Sequence, residues 1–80
     1  MGRYYFQIRD GEKLIPDPEG ADLPDERAAF EKIRATVEDM LRLPHLYGDF
    51  RRWERREFLV TDEEGREVLT VPVAALIRPN

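Results

Sequence analysis

Between Arg3 and Arg9 the side chains alternate, with Tyr4, Phe6 and Ile8 on one side and Tyr5, Gln7 and Arg9 on the other. Aromatic and β-branched residues at period two predict a strand with one buried face. Asp10-Gly11 predicts a two-residue type I′ hairpin turn, and Lys13-Leu14-Ile15 a short return strand. Pro16 and Pro18 end that strand, because proline cannot donate to a sheet ladder, and they place it at an edge. Asp17-Pro18-Glu19-Gly20 reads as a turn.

The period then changes. Ala29, Phe30, Ile33, Val37, Met40 and Leu41 recur at spacings of three and four, with Glu31, Lys32, Arg34, Glu38, Asp39 and Arg42 between them. This predicts an amphipathic helix from about Pro24 to Leu43 with one buried stripe. Pro24 suits its first turn, Asp25 and Glu26 suit its positive end, and Pro44 stops it. Pro44 to Trp53 has no clear period and reads as a connection, with room for one helical turn. Glu54 to Thr61 predicts a third strand. Asp62-Glu63-Glu64-Gly65 predicts a type I turn closed by a left-handed glycine, and Arg66 to Val71 a fourth strand that Pro72 weakens at its end. Val73 to Ile77 fits either a strand or a helical turn.

The order is β-hairpin, helix, β-hairpin. The expected fold class is α+β (ββαββ), one domain over residues 1–80, with an antiparallel sheet carrying the helix on one face and leaving the other open. Tyr5, together with Leu59 or Val68, is the apolar surface expected on that open face.

Composition narrows the function classes. The chain has 80 residues, 41% hydrophobic and 38% charged, and no cysteine. Thiol chemistry and cysteine metal sites are therefore excluded, and a reducing, cytoplasmic setting is expected. No apolar run reaches the length of a membrane span, and the N-terminus lacks a signal-peptide core. Gly2 does not make a myristoylation signal, because Phe6 stands where Ser or Thr is wanted. The net charge of −4 excludes a uniformly basic nucleic-acid footprint. The charge is uneven, however. Asp10 to Glu26 holds seven acids and one Lys, whereas Arg42 to Arg56 holds five Arg against Asp49 and Glu54.

Little in the chain points to catalysis. There is no serine, His45 is the single histidine, and Thr36, Thr61 and Thr70 have no base nearby in sequence. Asp17, Glu19, Asp22, Asp25 and Glu26 lack the alternate spacing of a calcium loop and read as turn and helix-start acids. Gly11, Gly20, Gly48 and Gly65 are scattered turn glycines, not a phosphate loop. No catalytic residue, cofactor or metal is expected. The one cluster with a chemical character is Arg51, Arg52, Arg55 and Arg56 around Trp53. Arginine forks bind phosphates, and an exposed Trp can stack on a base. The competing reading is that these arginines pair with the surplus acids or keep a strand edge soluble.

The segments Arg3-Tyr4-Tyr5-Phe6-Gln7-Ile8-Arg9-Asp10-Gly11, Ile15-Pro16-Asp17-Pro18-Glu19-Gly20, Leu23-Pro24-Asp25 and Val60-Thr61-Asp62-Glu63-Glu64-Gly65-Arg66 together resemble a family of short bacterial proteins of unknown function. That family has an R-Y-F-F-x-x-R-D-G start, a D-x-x-G turn, an L-P-[DS] start to its helix and a C-terminal hairpin. The resemblance implies the fold and transfers no catalytic residue. In strand order and in the proline-rich approach to an alanine-bearing helix, the chain is also similar to small antitoxin-type domains that present a partner surface.

The expected function is that of a small non-catalytic interaction or regulatory domain. It is expected to bind a protein partner or itself, as a homodimer, through the open sheet face or a sheet edge. Tyr5 and the arginine–tryptophan cluster are its candidate contact residues. Nucleic-acid binding through the Arg51/Arg52/Arg55/Arg56/Trp53 cluster is the second reading, and an antitoxin-like partner-binding role is the third. No membrane partner is expected.

Overall fold

The computed structural model describes residues 2–43, 45 and 50–77. Its elements are β1 (Gly2–Asp10), β2 (Lys13–Ile15), β3 (Ala21–Leu23), α1 (Glu26–Arg42), α2 (Phe50–Glu54), β4 (Glu57–Thr61), β5 (Glu67–Pro72) and α3 (Val73–Ile77). The class is α+β, with one antiparallel sheet ordered β2-β1-β4-β5 and β3 also paired to β1.

The alternation in β1 sets both faces of the sheet. Phe6 lies opposite Val60 and Ile8 opposite Phe58, while Val60 lies opposite Leu69 and Phe58 opposite Val71. These side chains form the floor on which α1 rests. Ala29, Ile33, Val37 and Met40 recur every three or four residues along α1 and are buried against Phe58, Val60, Val71 and Val73, with Tyr4, Phe6, Ile8 and Phe30 packed around them. On the outer side of α1, Arg34 pairs with Glu31 and Glu38, and Arg42 with Asp39. Such i,i+3 and i,i+4 pairs each add only a few tenths of a kcal/mol, so burial of the stripe is what fixes the helix.

The structure corrects several expectations. Asp25, not Pro24, begins the helix: its Oδ1 accepts from the Ala28 N–H at 2.9 Å, which makes it the N-cap. Leu41 is 50% exposed, because it lies next to Met40 and therefore about 100° away from the stripe. The first turn centres on Gly11-Glu12, since Asp10 pairs with Lys13. Only Gly11 there has positive φ, the pattern of a type II′ turn and not of type I′. The strand expected from Glu54 starts at Glu57, because Phe50–Glu54 is helical. The tail Val73–Ile77 takes the helical form of the two that its sequence allowed, and lies outside the sheet. Of the Pro44–Trp53 connection, Pro44 and positions 46–49 lie outside the described residues.

Of the two alternatives for the open face, Leu59 takes it and Val68 does not. Register shifts between Val60 and Thr61, so that Val60 faces Leu69 and Thr61 faces Glu67. The extra residue resets the alternation, and Val68 packs on the core side. The hairpin loop itself is as expected. Asp62 N–H donates to Arg66 O at 2.9 Å, Gly65 N–H to Asp62 O at 3.0 Å, and Gly65 has φ +82. The Asp62 carboxylate is held below the usual range, chiefly by the Arg66 backbone N–H; burial opposes this, and the Glu64 N–H and the Arg66 guanidinium add to the lowering.

The least expected feature lies along the outer edge of β1. β2 pairs with its end and β3 with its start, both antiparallel. Residues 16–20 bulge out between them, leaving the Phe6 N–H without a ladder partner. Asp17 fills the gap: Oδ2 accepts from Phe6 N–H at 2.9 Å, while Oδ1 accepts from Glu19 and Gly20 N–H at 3.3 and 3.2 Å. Burial opposes ionisation of this carboxyl, but the three backbone donors prevail and its pKa is lowered. Gly20 closes the bulge at φ +70, where a Cβ would stand 2.9 Å from Tyr4 O and from two carbons of the Tyr5 ring.

Two outcomes follow. Gly20→Ala combines a left-handed backbone with a steric clash and should destabilise the fold by about 2 kcal/mol or more, read by urea unfolding. Asp17→Ala orphans three N–H groups and should cost about 1–3 kcal/mol at pH 7. Because the folded pKa is depressed, this contribution is present above the unfolded value of about 3.9 and disappears as pH falls through the lower folded value. The stability gap between Asp17→Ala and the native chain should therefore narrow from pH 5 to pH 2.

Candidate interaction surface

The arginine–tryptophan cluster divides into two groups. Trp53 sits on α2 and is half-buried, packed against the core. Three residues on, the Arg56 guanidinium lies over its ring at 4.5 Å from the centroid, and its Nε donates to Asp10 Oδ2 at 3.1 Å. Arginine suits this place because its flat group can stack and donate at once. The backbone completes the join, with Arg56 N–H donating to Trp53 O and Val73 N–H to Arg56 O, both at 3.0 Å. Arg56 thereby ties α2, the end of β1 and the start of α3. Arg51, Arg52 and Arg55 are exposed. The joint is encoded by the three-residue spacing of Trp53 and Arg56, but its carboxylate partner lies 46 positions away and leaves no local signal.

Tyr5 stands elsewhere, on the face of the sheet opposite α1, with its ring over Gly20. It and the cluster do not form one patch. His45 is exposed. Among the described residues no three His, Cys, Asp or Glu side chains converge as a metal site, and no cavity is enclosed.

The face opposite α1 is a grid of cross-strand neighbours. One row runs Leu14, Arg9, Glu57, Pro72, the next Gln7, Leu59, Thr70, and the next begins Tyr5, Thr61. Beyond them Arg3 faces Asp22. Leu59 lies on this face as expected, yet it is only 8% exposed, since Gln7 and Thr70 flank it. Leu14 is 46% exposed at the corner.

The polar members of the grid are paired with one another. Arg9 Nη1 meets Glu57 Oε1 at 2.7 Å, Arg3 Nη2 meets Asp22 Oδ2 at 3.2 Å, Gln7 Nε2 donates to Thr61 Oγ1 at 3.0 Å, and Thr70 Oγ1 donates to Glu67 Oε2 at 2.6 Å. Exposed pairs of this kind add little to stability. Their consequence is different: covering the rows of Arg9–Glu57 and Gln7–Leu59–Thr70 would not strand a charge without a counter-charge, whereas Glu67, beyond them, has only the Thr70 hydroxyl as its partner here.

The edges of the sheet are poorer surfaces. Phe6 N–H points to Asp17, so the even residues of β1 face β2 and β3, and the odd ones face β4. Phe58 and Val60 then face β5, which leaves Thr70, Pro72 and the bulged Val68 on the outer rim of β5. Pro72 has no N–H to offer there. On β2 only Leu14 faces outward, between the Gly11-Glu12 turn and Pro16. A bulge and two prolines thus blunt both edges.

Among the described residues, no helix is long and apolar enough to cross a membrane. Searches of curated proteins and of solved structures found no match. A family whose description is "Domain of unknown function (DUF6894)" matches residues 3–74, from the first residues of β1 to the start of α3. That span takes in the sheet apart from Gly2, all of α1 and the Trp53–Arg56–Asp10 joint, and the chain belongs to the DUF6894 family.

Proposed function

We propose that this chain is a small, non-catalytic cytoplasmic interaction domain whose open sheet face is covered by a second copy of itself. The observation that carries the reading is the pairing of Arg9 with Glu57 and of Gln7 with Thr61 among Tyr5, Leu14, Leu59 and Pro72 on that face, while both sheet edges are blunted. Shielding such a face releases water from apolar surface, and the existing pairing reduces, without removing, the cost of taking Arg9 and Glu57 out of water.

Size sets the strength. Four strands at about 4.8 Å spacing and about five residues in length make a face of roughly 300–400 Å² per copy. That is below the roughly 800 Å² per partner of a stable complex, so the dimer is transient, with Kd in the range of about 10 μM to 1 mM.

Nucleic-acid binding is the weaker reading. It draws on exposed Arg52 and Arg55, but one face of the Trp53 ring already carries Arg56, and Arg56 already holds Asp10. No contact favours an antitoxin-like role over a second copy.

Sedimentation equilibrium over a concentration series tests the proposal. The native chain should pass from monomer to dimer within that affinity range, and Leu14→Asp and Thr70→Arg should each weaken the dimer at least tenfold with unaltered circular dichroism. A native chain that remains monomeric at about 1 mM, or variants that dimerise as well as it does, would overturn the reading.

A further inference from the structure

The two ends of the sheet carry opposite charge. β1 begins and β4 ends at one of them, where Asp22, Asp25, Glu26, Glu63, Glu64 and Glu67 outnumber the neighbouring Arg3, Arg27 and Arg66. β1 ends and β4 begins at the other, which carries the exposed Lys13, Arg52 and Arg55 along with the paired Arg9, Arg42 and Arg56. Cations outnumber Asp10, Glu12, Asp39, Glu54 and Glu57 there among the described residues. β1 is nine residues long, so the ends lie about 30 Å apart, several Debye lengths at physiological salt. Each end therefore acts largely on whatever stands next to it.

Resting on the self-association proposed above, we infer that the two copies stack face to face with their strands antiparallel, so that the cationic end of each lies over the acidic end of the other. Two sheets packed face to face lie about 10 Å apart with strand directions within about 30° of alignment. A two-fold axis along the strands would place acidic end on acidic end, close enough to repel. A two-fold axis across the strands puts unlike ends together twice, by symmetry. The central rows contribute no preference, since their charges are already paired. The ends alone decide the orientation, which makes charge polarity the specifying element of the interface.

The chain has no cysteine, which makes the orientation directly readable. Glu12→Cys marks the tip of the β1–β2 turn at the cationic end, and Glu64→Cys marks the exposed β4–β5 loop at the acidic end. With a short bis-maleimide at a concentration where the native chain dimerises, an equimolar mixture of the two variants should give abundant covalent dimer, and either variant alone little. Raising salt from about 50 mM to about 500 mM should also weaken the native dimer severalfold, because the attraction between the ends is screened. Efficient cross-linking within each variant alone, or a dimer strengthened by salt, would overturn the antiparallel orientation while leaving self-association standing. No dimer by sedimentation at any salt would remove the underlying reading itself.

Discussion

The helices pack on only one side of a four-strand-wide sheet, α1 foremost, and the rest of the molecule follows from that constraint. Ile33, Val37 and Met40 occupy the face made by Phe6, Ile8, Phe58, Val60, Leu69 and Val71. Among the described residues no element covers the opposite face, so its side chains must be compatible with water. They achieve this by bonding across strands, Arg9 to Glu57 and Gln7 to Thr61. The same arrangement that tolerates water also tolerates a partner.

Two joints let a domain of this size hold its sheet together. The Asp17 carboxylate stands in for a missing stretch of strand, which lets β2 and β3 share one edge of β1. At the other end of β1, Arg56 stacks on Trp53 and binds Asp10, fastening the short helices to the sheet. Both joints use charged groups that satisfy several partners at once, which suits a chain with a modest core and no disulfide. The arginine and tryptophan that would otherwise suggest a ligand site are occupied in holding the fold.

Local periodicity made much of this legible beforehand. The alternation of Tyr4, Phe6 and Ile8 and the three-and-four spacing of Ala29, Ile33, Val37 and Met40 specify strand, helix and buried face, because each pattern lies within a single element. Asp62 to Gly65 specifies its turn for the same reason. What escaped depends on distant partners. β3 is three residues long and exists because β1 is beside it. The Val68 bulge follows from register between two strands, and the Arg56 site from an aspartate at the far end of β1. The proline-flanked Asp17 reads as a turn residue, which it is, but its bond to Phe6 is set by tertiary structure. The open face was legible as a face; the pairing of its charges was not, since it requires the register.

The most direct measurement is a dilution series of amide and methyl NMR shifts. On dilution from about 1 mM, shifts should move at Tyr5, Gln7, Leu59, Thr61 and Thr70, while Phe6, Ile8, Val60 and the helix stripe stay fixed. Movement concentrated instead on the outer rims of β5 and β2, or shifts that do not depend on concentration at all, would contradict an interface on the open face.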